Sequence, residues 1–450
     1  MPCPHRSETP DESETGSRRS FLKAAVAIGG ANALAACTTG QNEPSVTEPG
    51  DEPKYPRGPD DLETLPNRQH AWGRYLPTNR QNQLVFPQHQ VFVFLDYTGT
   101  TPTEAERDRV ERAFRTVERA FQRGAGSTGD PMVVDGLLFS VGYAPSYFDR
   151  FDASLPESAG MMRPQDLLDA LDEDPGLADG YDAVIHLGSD VAEVVLGAEE
   201  ALFGAVDTLN GIPVEGTLSD AFERVERRSG LIGSGLPAER VDEDISPKAP
   251  IPMGFKSAFE DTLPSEDRMT IAEGPFAGGT TQHISQLVER LSEWYDEDHT
   301  DRIEKMFGPT FTESEVGEAG ERLGNFSGVS EEQAASVPDA AAEHGRVGHS
   351  QKLARARDDD FNPVILRRGD FFQAGEAETV LNFGSIQRDL EAFVRTRRAM
   401  SDLAFEESET EVSLPPAEDG ILDYIRTRSR ATFLIPPREL RALPSPRPDR

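Results

Sequence analysis

The sequence predicts an α+β fold built from two ferredoxin-like units side by side, each in the order β-α-β-β-α-β. Three observations predict it. At 450 residues the chain exceeds one ordinary core and suits two, with non-globular ends. From His89 onward, short stretches of alternating apolar side chains are interleaved with stretches of helical period. The same order of elements then runs again from Gly278, with longer insertions and no obvious residue-level identity between the halves.

The first unit opens with the strand HQVFVFLDY at residues 89–97. In TPTEAERDRVERAFRTVERAFQRG, Val110, Ala113, Phe114, Val117, Ala120 and Phe121 fall on one helical face. Thr103 and Glu106 have the spacing of a capping box, and Gly124 suits the stop. GLLFSVGY reads as a strand, PQDLLDAL as a short helix, DAVIHLGS as a strand, AEVVLGAEEALFG as a helix and RVERRSGLI as the closing strand. In the second unit GGTTQHISQLVER reads as a strand, LSEWYDEDHTDRIEKMFG as one helix and residues 309–360 as a polar stretch. Strands NPVILRRG and TVLNFGSIQ, helix RDLEAFVRTRRAM and strand RATFLIPP complete the unit. The insertion EESETEVSLPPAEDG reads as a flexible surface loop.

Against 45 basic residues stand 80 acidic ones, giving a net charge of −35 and a pI near 4.6. Such an excess repels nucleic acid phosphates and anionic lipid, so nucleic acid is not an expected partner. Acidic, lysine-poor and arginine-rich surfaces are expected of a protein kept soluble in concentrated salt, where screening suppresses self-repulsion. The two cysteines, Cys3 and Cys37, both precede the region expected to fold, so no disulfide or cysteine-metal cluster is expected within it.

At the amino terminus, SRRSFLK precedes AAVAIGGANALAAC, an apolar stretch shorter than the roughly 20 residues that span a bilayer. Twin arginines there mark a Tat export signal, with the Tat translocase as partner. LAAC resembles a lipobox, in which cleavage leaves Cys37 to carry lipid; plain cleavage is the alternative. The expected location is the cell surface, anchored to the outer face of the cytoplasmic membrane. The expected division is a signal peptide over residues 1–36, a disordered linker over 37–66, ferredoxin-like units over 67–245 and 246–440, and a tail over 441–450.

Several residues invite chemistry. His349 lies in GHSQKLARARDDDFNPVILRRG, a segment read as loop and then strand, with Arg367 and Arg368 ending the apolar run. Strand alternation should send those two arginines to opposite faces. His344 is a competing candidate ligand, His186 reads as a core residue, and His283 could face a pocket. GPFAGGTT lacks the spacing of a phosphate loop, DEDHTD reads as a solvated charge run, and no GxSxG string occurs.

The strings FSVGYAPSYFDRF, MGFKSAF, EGPFAGGTTQHI, GHSQKLARARDDDFNPVILRRG and FGSIQRDLEAFV occur in an order that resembles dye-decolorizing (DyP-type) haem peroxidases, over about residues 69–437. The resemblance implies a doubled ferredoxin-like fold that binds haem b in its carboxyl-terminal half. It implies His349 as the iron ligand and Arg367 as the cation over the opposite face, with hydrogen peroxide and an unknown reductant as substrates. A homo-oligomer is compatible with it. The chemistry agrees: neutral imidazole is a usual haem ligand, and arginine stays charged while negative charge develops on peroxide.

One departure stands out. The family's distal acid lies in a GxxDG motif, and here the string is GFKSA, with Ser257 in the place of the aspartate. A serine hydroxyl hydrogen-bonds but is a poor general base at neutral pH. Glu260 and Asp261 lie close in sequence as substitutes. Three functions therefore stand: a peroxidase, a haem-binding or haem and iron-acquisition protein with little turnover, and a haem-free binding module.

Overall fold

The computed structural model describes residues 53–79, 84–125, 130, 132–255, 264–323, 329–335, 337–374, 378–401 and 413–448. Gly50–Arg450 form one compact unit. The export signal, Cys3 and Cys37 lie outside the described residues.

The first half contributes strands β1 (His89–Tyr97), β2 (Leu138–Tyr143), β3 (Ala183–Ser189) and β4 (Phe222–Leu231). Helix α1 (Glu104–Ala120) follows β1, while α2 (Pro164–Ala170) and α3 (Ala192–Leu202) flank β3. The second half contributes β5 (Thr280–Glu289), β6 (Leu366–Arg367), β7 (Phe371–Ala374), β8 (Thr379–Gln387) and β9 (Ile425–Ile435). Its helices include α4 (Leu291–Tyr295), α5 (His299–Phe307), α6 (Val337–His344), α7 (His349–Arg355) and α8 (Leu390–Ala399).

Each half makes an antiparallel sheet of the same order. In the first it is β4-β1-β3-β2, and in the second β9-β5-β8-β7, with β6 also on β8. The fourth strand beside the first, then the third and the second, is the order of a ferredoxin-like unit, so the α+β class with two such units is what the molecule adopts. The sheets meet at two thin seams, Leu434 opposite Tyr143 and Leu231 opposite Phe372. Through those seams eight strands close into a ring, which leaves few unpaired edges.

Strand parity then divides the side chains. Phe92, Phe94, Val184, Ile284, Phe371 and Phe433 meet in one cluster between the sheets. On the far side of the first sheet, Val91, Val93 and Leu95 pack on Val110, Phe114 and Val117 of α1. The capping box of α1 is present, with Thr103 and Glu106 bonding each other's backbone N–H groups. That helix ends at Ala120, however, where Phe121 turns extended at ψ 136°; Gly124 supplies a later left-handed turn and not the stop.

The second half departs further from its expected reading. LSEWYDEDHTDRIEKMFG forms α4 and α5 as separate helices, because Asp298 takes ψ 150° and starts the second one. Aspartate favours such starts over helix interiors. The polar stretch is partly helical, and His349 opens α7 where loop was expected. NPVILRRG is strand only at Leu366–Arg367, and β7 was not anticipated. Among the described residues no helix is long and apolar enough to cross a membrane.

Candidate functional site

The outer face of the second sheet is where the two halves differ. The matching face of the first sheet is filled by apolar side chains, whereas on the second a cavity remains beneath helices α5, α7 and α8. It holds about 230 Å³ of space that water-sized molecules could occupy. Alternation on β5 sends Ser285, Leu287 and Glu289 into it, and alternation on β8 sends Leu381 and Phe383. On β9, Ile425 and Thr427 face the cavity, and a register shift between Thr427 and Ser429 then places Arg430 opposite Ser285, on the same face. Arg430 donates to Ser285 Oγ at 2.7 Å.

His349 and Arg367 both line this cavity. Arg367 gets there by register: it pairs with Ser385, on the face of Leu381 and Phe383, while Leu366 pairs with Ile386 and packs on Met269 and Ile435. Arg368 points the other way, as alternation requires, donating to the His70 carbonyl at 3.2 Å and to Glu266 at 2.7 Å. Arg367 Nη1 lies 3.4 Å from Asp370 Oδ2, and Asp370 also lines the cavity.

His349 is the first residue of α7, and its position is set from both sides. Gly348 ahead of it has no room for a side chain, since a Cβ would come within 2.3 Å of Gly308 N and 2.4 Å of the Phe307 carbonyl carbon. Gly348 N donates to Gln351 Oε1 at 2.9 Å, which ties down the start of the helix. One turn on, Lys352 is buried and donates to the Asp419 carbonyl at 2.9 Å and Oδ1 at 2.8 Å, fastening α7 to the segment before β9.

The imidazole is held neutral. Burial, then the charges of Lys352, Arg367 and Arg397, lower its pKa from 6.5 to about 3. Its Nδ1 is buried without a hydrogen-bond partner among the described residues, so none of their acceptors orients the ring from that side. A neutral ring in the wall of an apolar cavity offers a lone pair at any working pH. Among the described residues no three His, Cys, Asp or Glu side chains converge to hold a metal ion. The cavity residues fit a planar iron chelate: one neutral nitrogen ligand, apolar walls including Leu353 and Phe393, and guanidinium groups of Arg357, Arg397 and Arg430 in the lining, the last two already paired with Glu173.

Arg397 and Arg430 were not singled out from sequence, nor were Arg357, Glu289 and Asp370. Both Arg430 and Arg397 pair with Glu173 of the first half, at 2.6 and 3.2 Å. The remaining histidines are elsewhere. His344 is exposed on α6. His186 is fully buried, with Nε2 2.9 Å from Gln90 Oε1. His283 is stacked on Phe393 at 3.6 Å and bonded to Ser285, behind the cavity wall. His299, in the DEDHTD string, starts α5, with Nε2 3.1 Å from the Glu318 carbonyl. Ser257, Glu260 and Asp261 lie outside the described residues, although Met253 and Phe255 just before them line the cavity.

Comparison with known proteins gives a family and a set of structural neighbours. Solved structures of similar arrangement include a dye-decolorizing protein from V. cholerae, at 13% identity over 82% of this chain and 97% of that one, with a TM-score of 0.48. A DypB variant from Rhodococcus jostii in complex with heme matches at 14% identity, over 83% of this chain and 98% of that one, with a TM-score of 0.48. A DyP-type peroxidase from Cellulomonas bogoriensis matches at 19%, over 78% and 90%, also at 0.48. No curated protein matches the chain. Residues 87–437, spanning both sheets, match the model of a family described as a family of unknown function, DUF7405, and the chain is a member of that family.

Proposed function

We propose that the protein is an exported haem protein of DyP-peroxidase type that reduces hydrogen peroxide with electrons from an unidentified donor. The observation that carries this reading is the convergence of His349 and Arg367 on one cavity of the second sheet. Haem b, when bound, supplies the iron at which peroxide is reduced. His349 would hold it through a ring nitrogen that burial keeps free of a proton. Arg367 would bind and polarise the peroxide, since a guanidinium stays charged and need not reorganise as negative charge develops. Its partner Asp370 fixes the side chain on the cavity side.

The amino-terminal reading belongs to the same proposal. Twin arginines at Arg18 and Arg19 address the chain to the Tat translocase, and lipid on Cys37 anchors it to the outer face of the cytoplasmic membrane. The acidic surface suits concentrated salt.

A second reading, haem carriage with little turnover, is favoured by Ser257 in the GFKSA string, because an alcohol is a poor general base at neutral pH. Peroxide-dependent oxidation of a dye by haemin-loaded protein separates the two. A peroxidase turns over, is slowed by roughly 10²–10³-fold in Arg367→Ala, and gains rate in Ser257→Asp. Inert protein in all three forms would leave carriage.

A further inference from the structure

Peroxide reduction needs a proton for the oxygen that leaves as water, and few cavity residues can release one. Arg367 cannot at any working pH. Asp370 is engaged by Arg367. Ser285 accepts from Arg430, and Thr396 donates to the Ala392 carbonyl; both are alcohols of high pKa in any case.

Glu289 is different. It ends β5 on the face that carries Ser285 and Leu287, and it lines the cavity. It is 4% exposed, and both carboxylate oxygens are buried without a hydrogen-bond partner among the described residues. Four arginines line the same cavity, yet none of them bonds it. A buried carboxylate so placed would bear an uncompensated charge, whereas the neutral acid has a proton to offer whatever occupies the cavity.

We propose that Glu289 is the proton donor of this site, giving its carboxyl proton to a peroxide oxygen. The proposal rests on the haem-peroxidase reading. Hydrogen peroxide takes up two electrons and two protons and becomes two waters as the O–O bond breaks. The two electrons would come from the unidentified donor, one proton from Glu289, and the second from solvent. The Glu289 carboxylate then regains a proton from solvent.

Electrostatics agree with the geometry. Burial, then the charge of Asp370, raises the Glu289 pKa from 4.5 to about 8, near the pH at which an acid best transfers protons. The other facing groups do not offset this. Tyr295 of α4 is held neutral by burial. The register partners Thr379 and Ile425 are uncharged. Beyond them Arg426 pairs with Glu378 at 3.0 Å, and the next residue in the chain, Arg290, pairs with Glu293 at 3.4 Å.

The test uses the full-length protein in two arms. In the haem-free protein, infrared difference spectra across a pH titration should show the carbonyl stretch of a protonated carboxylic acid that disappears with a midpoint near pH 8, and Glu289→Gln should lack it. In haemin-loaded protein, Glu289→Gln should keep the wild-type Soret band while losing roughly 10²–10⁴-fold in its rate with peroxide, as for removal of a general acid. A wild-type protein without the titrating band, or a haem-loaded Glu289→Gln that reacts at the wild-type rate, overturns the role of Glu289 and leaves haem binding standing. A wild-type protein that takes up no haemin overturns the reading beneath it.

Discussion

At the scale of single residues, two buried carboxylates, Glu118 and Glu289, sit in opposite surroundings. Glu118 shows the ordinary treatment. It is buried against Arg441 and Arg438, with contacts of 2.5 and 2.7 Å that tie the carboxyl-terminal segment to α1. Burial alone would raise its pKa, but the two guanidinium groups outweigh it and bring the value down to about 2. Replacing Arg441 by alanine leaves a buried carboxylate short of a partner, and chemical denaturation should show a loss of about 3–5 kcal/mol. Glu289, in the cavity wall, has no such partner among the described residues.

At the scale of elements, the site depends on backbone devices more than on the side chains that do the chemistry. Gly348 lets α7 begin against the Phe307–Gly308 backbone, so Gly348→Ala should cost about 1–3 kcal/mol in thermal or denaturant unfolding and weaken haemin uptake by moving His349. An unchanged melting curve would contradict the close approach. The register shift on β9 has the same standing, since without it Arg430 would face away from Ser285.

These devices mark the boundary of what the sequence reveals. The β-α-β-β-α-β order was legible in the first half because β1 and β3 are apolar and α1 has both a face and a cap, and in the second because β5 and β8 run for 10 and 9 residues. His349 and Arg367 were legible through the resemblance of the GHSQ and ILRR strings to DyP-type haem peroxidases. The helix at His349 was not, because HSQKLAR is short and its buried residues include Ser350, Gln351 and Lys352, which no apolar period flags. Arg430 was hidden by the shift, since strict alternation from Thr427 gives it the wrong face. Glu289 was not singled out; the available signal was its parity with Ser285 and Leu287.

For the whole molecule, the same topology has been used twice to different ends, one sheet covered by a filled apolar layer and the other by a layer left hollow. Charge also acts at this scale. With a net charge of −35, self-repulsion opposes compaction, and added salt screens it. The melting temperature should therefore climb as sodium chloride is raised from low to molar concentration; a flat response would contradict a surface built for salt.

Acid and base should act through different groups. The depressed Glu118 contributes stability that is complete above its unfolded pKa of about 4.5 and lost as pH falls toward 2. The raised Glu289 acts with opposite sign: above pH 4.5 the unfolded chain ionises while the folded one keeps its proton, so stability falls as pH rises to about 8. Glu289→Gln should remove that alkaline slope and leave the acid one, as read from unfolding curves across pH.

The central claim is that His349 is the ligand through which a porphyrin is held in the cavity of the second sheet. Haemin titrated into the full-length protein in high salt, followed at the Soret band, measures it most directly. The account predicts saturation at one haemin per chain, with a band that His349→Ala abolishes or shifts while Gln substituted for the exposed His344 leaves it alone. Saturation with the same band and the same affinity in His349→Ala would contradict it.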